Sequence, residues 1–318
     1  MIIILSNRED ITADYVILEL RKRKVDFFRF NTEDFPLNVK LSLNYGTTNF
    51  LQTPNNKIIP FSDIQSIWYR RPILPDFNKF RLEKGVEDFC TKESFAALEG
   101  AWTLLDCNWV SNPFNIRKAE IKPFQLSVAS EIGFKIPKTL ISNDSELIKN
   151  FYLKNNKCTI VKPIKTSVVK KVAGEDIIFT SSVQDFAIEK VSKCIPIPSI
   201  FQERLPKKYD IRVTVIGEQV FPVEIHSQDF RDSMVDWRQG ENPKIKHLRH
   251  ELPKDISDKC LQLNKRLGLK FSAIDFVFTP NGDYYFLEIN PNGQWAWIEE
   301  RTGYKLTESL VDLLCLEK

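Results

Sequence analysis

The 318-residue chain has no CxxC pair, only three histidines and eleven glycines. Its six cysteines (Cys90, Cys107, Cys158, Cys194, Cys260, Cys315) are scattered, which argues against zinc and against a disulfide framework and fits reduced thiols in a cytoplasm. No GxGxxG follows the first apolar run, so a dinucleotide site is not supported. Charge of one sign is scarce too: 45 basic against 42 acidic residues leave a net +3, too little to argue for nucleic acid. The longest basic run, RKRK at 21–24, reads as a solvated helix end. No apolar run is long enough to span a bilayer and no signal peptide precedes the first strand, so a cytoplasmic protein without a membrane partner is expected. What remains, 42% hydrophobic and 27% charged residues, is ordinary for a globular chain long enough for two or three domains.

What is present centres on residues 272–295. Aromatic and β-branched residues alternate on both sides of Asn281-Gly282, the strongest short-range signal for a hairpin. A loop of two or four residues there places Asp275 opposite Glu288 and Ala273 opposite Asn290. One face then carries two carboxylates and an amide. Directly opposed like charges destabilise a sheet, and a divalent cation reverses that sign. Hard oxygen ligands that leave positions for water and phosphate are what Mg²⁺ takes. The alternative is a pair of solvated or salt-bridged acids on an exposed face, against which the apolar neighbours Ala273 and Val277 argue.

From the N-terminus, an apolar run at 2–5, a helical pattern at 12–23 and a strand at 25–30 predict a parallel sheet with a crossover helix. A strand at 64–69 ends in Arg70-Arg71-Pro72, which either holds a phosphate or carboxylate or pairs with surface acids. A long helix is expected over 82–105 and another over 115–132, the latter carrying Lys118 and Lys122. Asn143 or Ser145 is the expected cap of a helix at 146–154. The strand at 158–161 delivers Lys162, which either snorkels out of an edge or points into a cleft. A lysine-rich hairpin or loop follows at 164–182, with Lys165, Lys170, Lys171 and Gly174.

Residues 201–205 read as a connecting stretch whose backbone, outside any long ladder, is free to bond a flat base. A hairpin turned at Gly217-Glu218 follows, and Asp210, Arg212 and Thr214 share one face of its first strand. The loop at 227–248 holds Arg231, Asp236, Trp237 and Arg238, and loops of that length are usually functional or disordered. His247 and His250, three apart with no third ligand nearby, read as surface histidines. Helices are expected at 253–267 and 306–316.

Taken in order, Lys122, VKP at 161–163, QERL at 202–205, DIRV at 210–213, AIDFVF at 273–278 and FLEINPNG at 286–293 resemble the ATP-grasp ligases over most of the chain. More narrowly, SIWYRRP, IPKTLISN, DWR at 236–238 and NPNGQWAWIEE resemble the maturases of microviridin-type graspetides, which cross-link side chains of a ribosomally made precursor peptide. The resemblance implies an α/β and α+β architecture in three regions: a pre-ATP-grasp region at 1–112, a central lid at 113–197 and a C-terminal region at 198–318. The nucleotide is expected between the last two. Lys122 and Lys162 would hold its phosphates, Gln202, Glu203 and Leu205 would seat adenine, and Asp210 would meet the ribose. Asp275, Glu288 and Asn290 would bind Mg²⁺, and Arg212 would face the transferring phosphoryl group. Asp236 and Arg238 would serve the reacting side chains of the core peptide, the leader peptide would bind at 166–193, and a homodimer is expected.

The reaction implied is ATP-dependent conversion of a peptide Asp or Glu into an acyl phosphate, then capture by a Ser or Thr hydroxyl as an ω-ester. An ω-amide-forming maturase, and a ligase adding a free amino acid to a protein or peptide, share every nucleotide motif. A nucleotide-responsive binding module without turnover is the alternative from another class.

Overall fold

A computed structural model describes residues 1–165, 168–171, 174–193, 196–239 and 243–316. Residues 166–167 and 172–173 of the lysine-rich and expected leader-binding stretch, Cys194, and 240–242 of the long loop lie outside the described residues. The chain opens with strand β1 (Ile2–Ser6), helix α1 (Ile11–Lys22) and β2 (Phe27–Asn31). A small antiparallel sheet of β3 (Lys40–Ser42), β4 (Phe50–Gln52) and β5 (Ile58–Pro60) intervenes before β6 (Ser66–Tyr69), α2 (Lys84–Leu104) and β7 (Asn108–Val110). The larger sheet has the order β2-β1-β6-β7 with every pair parallel. β1 is buried along its whole length, as its unbroken apolar run and a sheet covered on both faces require.

The helix expected over 115–132 is two helices, α3 (Pro113–Ala119) and α4 (Lys122–Ile132). Pro123 is the reason: it lacks an N–H and suits only a first turn, so a second helix starts there and ends at Gly133 with φ +91°. After β8 (Thr139–Ser142) comes α5 (Ser145–Lys154), capped by neither Asn143 nor Ser145. The Asp144 carboxylate accepts from the N–H groups of Glu146 and Leu147, adding charge that the helix dipole favours. Next come β9 (Thr159–Lys162), the hairpin β10 (Val168–Lys171) and β11 (Gly174–Ile177), β12 (Ser181–Ser182), α6 (Asp185–Lys190) and β13 (Ser199–Glu203). The central sheet has the order β12-β9-β13-β8.

β13 corrects the expectation of free backbone at 201–205. Gln202 pairs with Thr139 on one side and Ile160 on the other, and the Glu203 N–H donates to Lys138 O at 2.9 Å. Only Leu205 lies past this ladder, and the central sheet runs beyond the boundary expected at residue 197.

The last sheet is antiparallel, order β16-β15-β14-β17-β18, built from β14 (Tyr209–Ile216), β15 (Gln219–Ile225), β16 (His247–Arg249), β17 (Phe271–Phe278) and β18 (Tyr284–Asn290). Helix α7 (Lys254–Leu267) precedes β17; α8 (Ala296–Thr302) and α9 (Leu306–Cys315) close the chain. The β17–β18 loop is neither two nor four residues. Thr279 N–H donates to Asp283 O and Gly282 N–H to Thr279 O, both at 3.0 Å, which leaves three residues with Gly282 at φ +86°. That loop offsets the pairing by one, so Phe276 faces Phe286, and a bulge at Leu287 offsets it back. Asp275 therefore faces Glu288 and Ala273 faces Asn290, by two shifts that cancel.

One face of this sheet, with Ile211, Val213, Ile274 and Phe276, packs with Cys260, Leu263 and Leu267 of α7 into the largest core. Phe134 sits 5.5 Å from both Phe276 and Phe286. A second core joins the ends of the chain, Val16 and Leu20 of α1 packing with Leu310 and Leu314 of α9. The surface readings of His247 and His250 fail here, and so does surface pairing for Arg70. Arg70 turns inward and is 1% exposed, while Arg71 stays outside. His247 is 8% exposed, against Trp297 and Arg301, and His250 bridges Glu224 Oε1 and the Tyr284 hydroxyl at 2.8 Å each.

Candidate active site

Between the central sheet and the five-stranded sheet lies a cavity of about 590 Å³. All twelve candidate residues line it, drawn from elements far apart in the chain. Lys122 is the first residue of α4, and Lys162 the last of β9. Gln202 and Glu203 end β13, and Leu205 follows them. Asp210 and Arg212 share a face of β14 with Thr214, Asp275 comes from β17, and Glu288 and Asn290 from β18. Asp236 and Arg238 come from the loop after β15.

The facing acids each have a cation. Arg212 Nε donates to Asp275 Oδ1 at 2.6 Å, and Lys122 Nζ donates to Glu288 Oε2. Burial pushes both carboxyls up. For Glu288 the opposing pull of Lys122, Lys162 and Arg238 is stronger and holds it well below the usual carboxylate range. For Asp275 burial wins over Arg212, helped by the charge on Glu288, and its affinity for a proton rises. Burial also pulls the Lys162 ammonium down, opposed by Glu288. The fold thus tolerates two opposed acids by setting its own cations beside them.

The loop is tied down separately. Arg238 grips Asp236 with Nε to Oδ1 at 2.8 Å and Nη2 to Oδ2 at 2.7 Å, and the Thr180 N–H donates to Oδ2 at 3.3 Å. Burial pushes the Asp236 carboxyl up, but Arg238 outweighs it and holds the group below its ordinary value. Asp210 accepts from Lys207 Nζ at 2.9 and 3.1 Å and from Ser227 Oγ at 2.5 Å. Lys207 also donates to Val235 O at 3.1 Å, which joins β14 to the loop holding Asp236. Sequence reasoning missed Lys207; its position three residues before Asp210 was the available signal. Trp237 lies 5.5 Å from the Arg212 guanidinium on one side and 5.4 Å from Trp297 on the other.

A model of the MvdD pre-ATP grasp domain matches residues 1–117, and a model of the RimK-like ATP-grasp domain matches residues 119–314. The chain belongs to the RimK-like ATP-grasp family. Among solved structures this ATP-grasp protein is similar to a RiPP-associated ATP-grasp ligase of Chryseobacterium gregarium, determined in complex with ADP and a leader and core peptide. Identity is 31%, covering 99% of this chain and 96% of that one, with a TM-score of 0.92. It is also similar to the macrocyclase MdnC of Microcystis aeruginosa, bound with the precursor peptide MdnA, at 27% identity, 98% of each chain and a TM-score of 0.85. A curated relative, the alpha-aminoadipate–LysW ligase LysX of Sulfurisphaera tokodaii, is 22% identical over 64% of this chain and 70% of that protein. The ATP-grasp chain is accordingly an ADP-forming carboxylate ligase of mixed α/β architecture.

Among the described residues of this ligase, no group of three or more His, Cys, Asp and Glu side chains could hold a metal, and no helix is long and apolar enough to cross a membrane. The donor set at the cavity is instead two carboxylates and the amide of Asn290. Such a set fits Mg²⁺, which takes one or two carboxylates and completes its shell with water and substrate phosphates. The buried Oε1 of Gln202 has no partner among the described residues, while its Nε2 donates to Thr139 Oγ1 at 2.9 Å. An acceptor left open on the cavity strand fits a base that carries an amino group.

Proposed function

We propose that this ligase matures a ribosomally made precursor peptide, activating Asp or Glu side chains as acyl phosphates and joining them to Ser or Thr hydroxyls of the same peptide as ω-esters. The observation that carries this reading is the likeness over 99% of the chain to a ligase solved with ADP and a leader and core peptide. In this reading residues 1–112 form the pre-ATP-grasp domain, the central lid, expected at 113–197, extends through β13 to residue 203 and carries the leader site at 166–193, and the remainder to 318 forms the C-terminal domain. The working form is a cytoplasmic homodimer.

Lys122 and Lys162 hold the nucleotide phosphates, Gln202 to Leu205 seat the base, and Asp210 meets the ribose. Asp275, Glu288 and Asn290 hold Mg²⁺, which when bound neutralises charge on the phosphate oxygens. Lys122 is on Glu288 Oε2 and Arg212 Nε on Asp275 Oδ1, so the second oxygen of each carboxylate would be the one to face the ion. The peptide carboxylate then attacks the γ-phosphate, forming a C–O–P bond and releasing ADP. Arg212 stabilises charge that is spread over the phosphoryl oxygens in the transition state. The hydroxyl attacks the acyl carbon, phosphate leaves, and Asp236 takes the hydroxyl proton. Arg238 keeps Asp236 ionised, as an acceptor must be, while reducing its basicity. Trp237 packs beside Arg212 and helps exclude water, which would hydrolyse the acyl phosphate.

Mass spectrometry of the precursor encoded beside the gene, after incubation with ATP and Mg²⁺, tests this. Loss of one water per ring is expected. The LysX likeness favours a second reading, a ligase that adds a free amino acid, and a gain of mass would establish that one instead. An ω-amide-forming maturase would lose the same water but give a product that resists mild base. A product unchanged in mass, with no ADP formed, would sink all three.

A further inference from the structure

Arg70 stands at the end of β6 in the N-terminal parallel sheet, yet its guanidinium is spent on the C-terminal part of the chain. Nη1 donates to the carbonyl oxygens of Asn292 at 2.5 Å and Gly293 at 3.1 Å. The contact is returned: the Asn292 side-chain amide, oriented so that its NH₂ meets acceptors, donates to the Tyr69 and Arg70 carbonyls at 3.0 Å each. Behind Arg70, Asp10 Oδ2 lies 3.3 Å from Nε, and Asp10 is itself held by Ser6 Oγ at 2.8 Å and the Thr12 N–H at 3.1 Å. The guanidinium is 1% exposed, hydrogen-bonded to the turn through Nη1 and ion-paired with Asp10 through Nε, while Nη2 has no partner among the described residues.

The turn it grips is the one that aims Asn290. The Asn292 N–H donates to Asn290 Oδ1 at 3.1 Å, and the Gly293 N–H to Asn290 O at 3.3 Å. The same turn is packed hard against the site strands. A Cβ on Gly293 would lie 2.4 Å from Ala273 Cβ and 3.3 Å from Arg212 Nη1, so the turn cannot shift without disturbing both. Contacts thus run without a gap from the N-terminal sheet, through Arg70 and the 291–293 turn, to Asn290 and Arg212.

We propose that Arg70 is a positioning residue for the divalent-cation site: it fixes the 291–293 turn so that Asn290 Oδ1 is presented beside Asp275 and Glu288, and the N-terminal domain thereby sets the affinity for the metal. The proposal rests on the reading of Asn290 as part of that site. Outer contacts of this kind, when removed, typically weaken metal binding by about 10- to 100-fold.

Calorimetric titration of ADP into the full-length protein across a series of Mg²⁺ concentrations tests it without turnover. Two variants are used, each first shown to melt cooperatively. Arg70→Lys keeps a cation but has a single nitrogen, which cannot sit on the two carbonyls as Nη1 does and beside Asp10 as Nε does. Asn292→Ala removes only the returning bonds and leaves no buried charge unpaired. The Mg²⁺ concentration that half-maximally tightens ADP binding is expected to rise about tenfold in Arg70→Lys and by less in Asn292→Ala, with metal-free ADP affinity unchanged. An unchanged Mg²⁺ midpoint in both variants, or metal-free affinity falling in the same proportion, overturns the proposal and leaves the site reading standing. Failure of Mg²⁺ to tighten ADP binding in the unaltered protein removes the metal-site reading and this inference with it.

Discussion

The two faces of β14 and β17 share one backbone and carry opposite chemistry. On one, Ile211, Val213, Ile274 and Phe276 are buried against α7. On the other, Asp210, Arg212 and Asp275 line the cavity. Fully burying an apolar side chain contributes about 1.5–3 kcal/mol, whereas a buried ion pair is often no better than an apolar pair of the same shape. The difference teaches that stability and reactivity are carried by alternate residues of the same strands, so neighbouring substitutions should fail in different ways.

The most severe break of this comparison pairs Glu288→Gln with Phe276→Ala. The first is expected to lower turnover roughly a hundred- to a thousandfold, the scale on which electrostatic groups at a reacting centre act, and to cost stability only through the cations Lys122 and Lys162 left facing a neutral group. The second is expected to cost about 3–5 kcal/mol of stability in denaturant titrations, with turnover near normal wherever the protein stays folded. Equal losses of turnover in both folded variants would show that the faces are not separable. Asp236→Asn comes next. Turnover should fall about 100-fold, the low end for loss of a proton acceptor because Arg238 already reduces its basicity, while peptide binding measured by fluorescence anisotropy is retained. Full cyclisation by this variant would remove Asp236 from the chemistry.

The smallest effect lies outside the cavity. Burial, then Arg301, pushes the His247 imidazole down to about 4 from 6.5. Between these values the unfolded chain binds more protons than the folded one, so stability must fall as pH is lowered through that window. The full effect is about 3 kcal/mol, read as a shift in the denaturant midpoint between neutral and mildly acid buffer. His247→Gln should flatten that slope.

The sequence made the site legible because its acids and cations sit in short motifs whose strand periodicity can be counted. Even there, the Asp275–Glu288 pairing came out through compensation, a three-residue loop cancelled by the bulge at Leu287. What could not be read was who neutralises whom. Lys122 meets Glu288 across 166 residues of chain, and nothing local says so. His247 looked like a surface group, and Arg70 could be read two ways, for the same reason: their partners, Asn292, Gly293 and Arg301, are supplied by folding alone. The expected free backbone at 201–205 failed because β8 and β9 return to flank it, a long-range pairing that periodicity does not reveal.

Transfer of a carboxylate oxygen to phosphate tests the acyl-phosphate claim most directly. With heavy oxygen placed in the Asp and Glu side chains of the precursor, phosphate released during ring closure should carry one labelled oxygen per ring. Ring formation with unlabelled phosphate would contradict the mechanism.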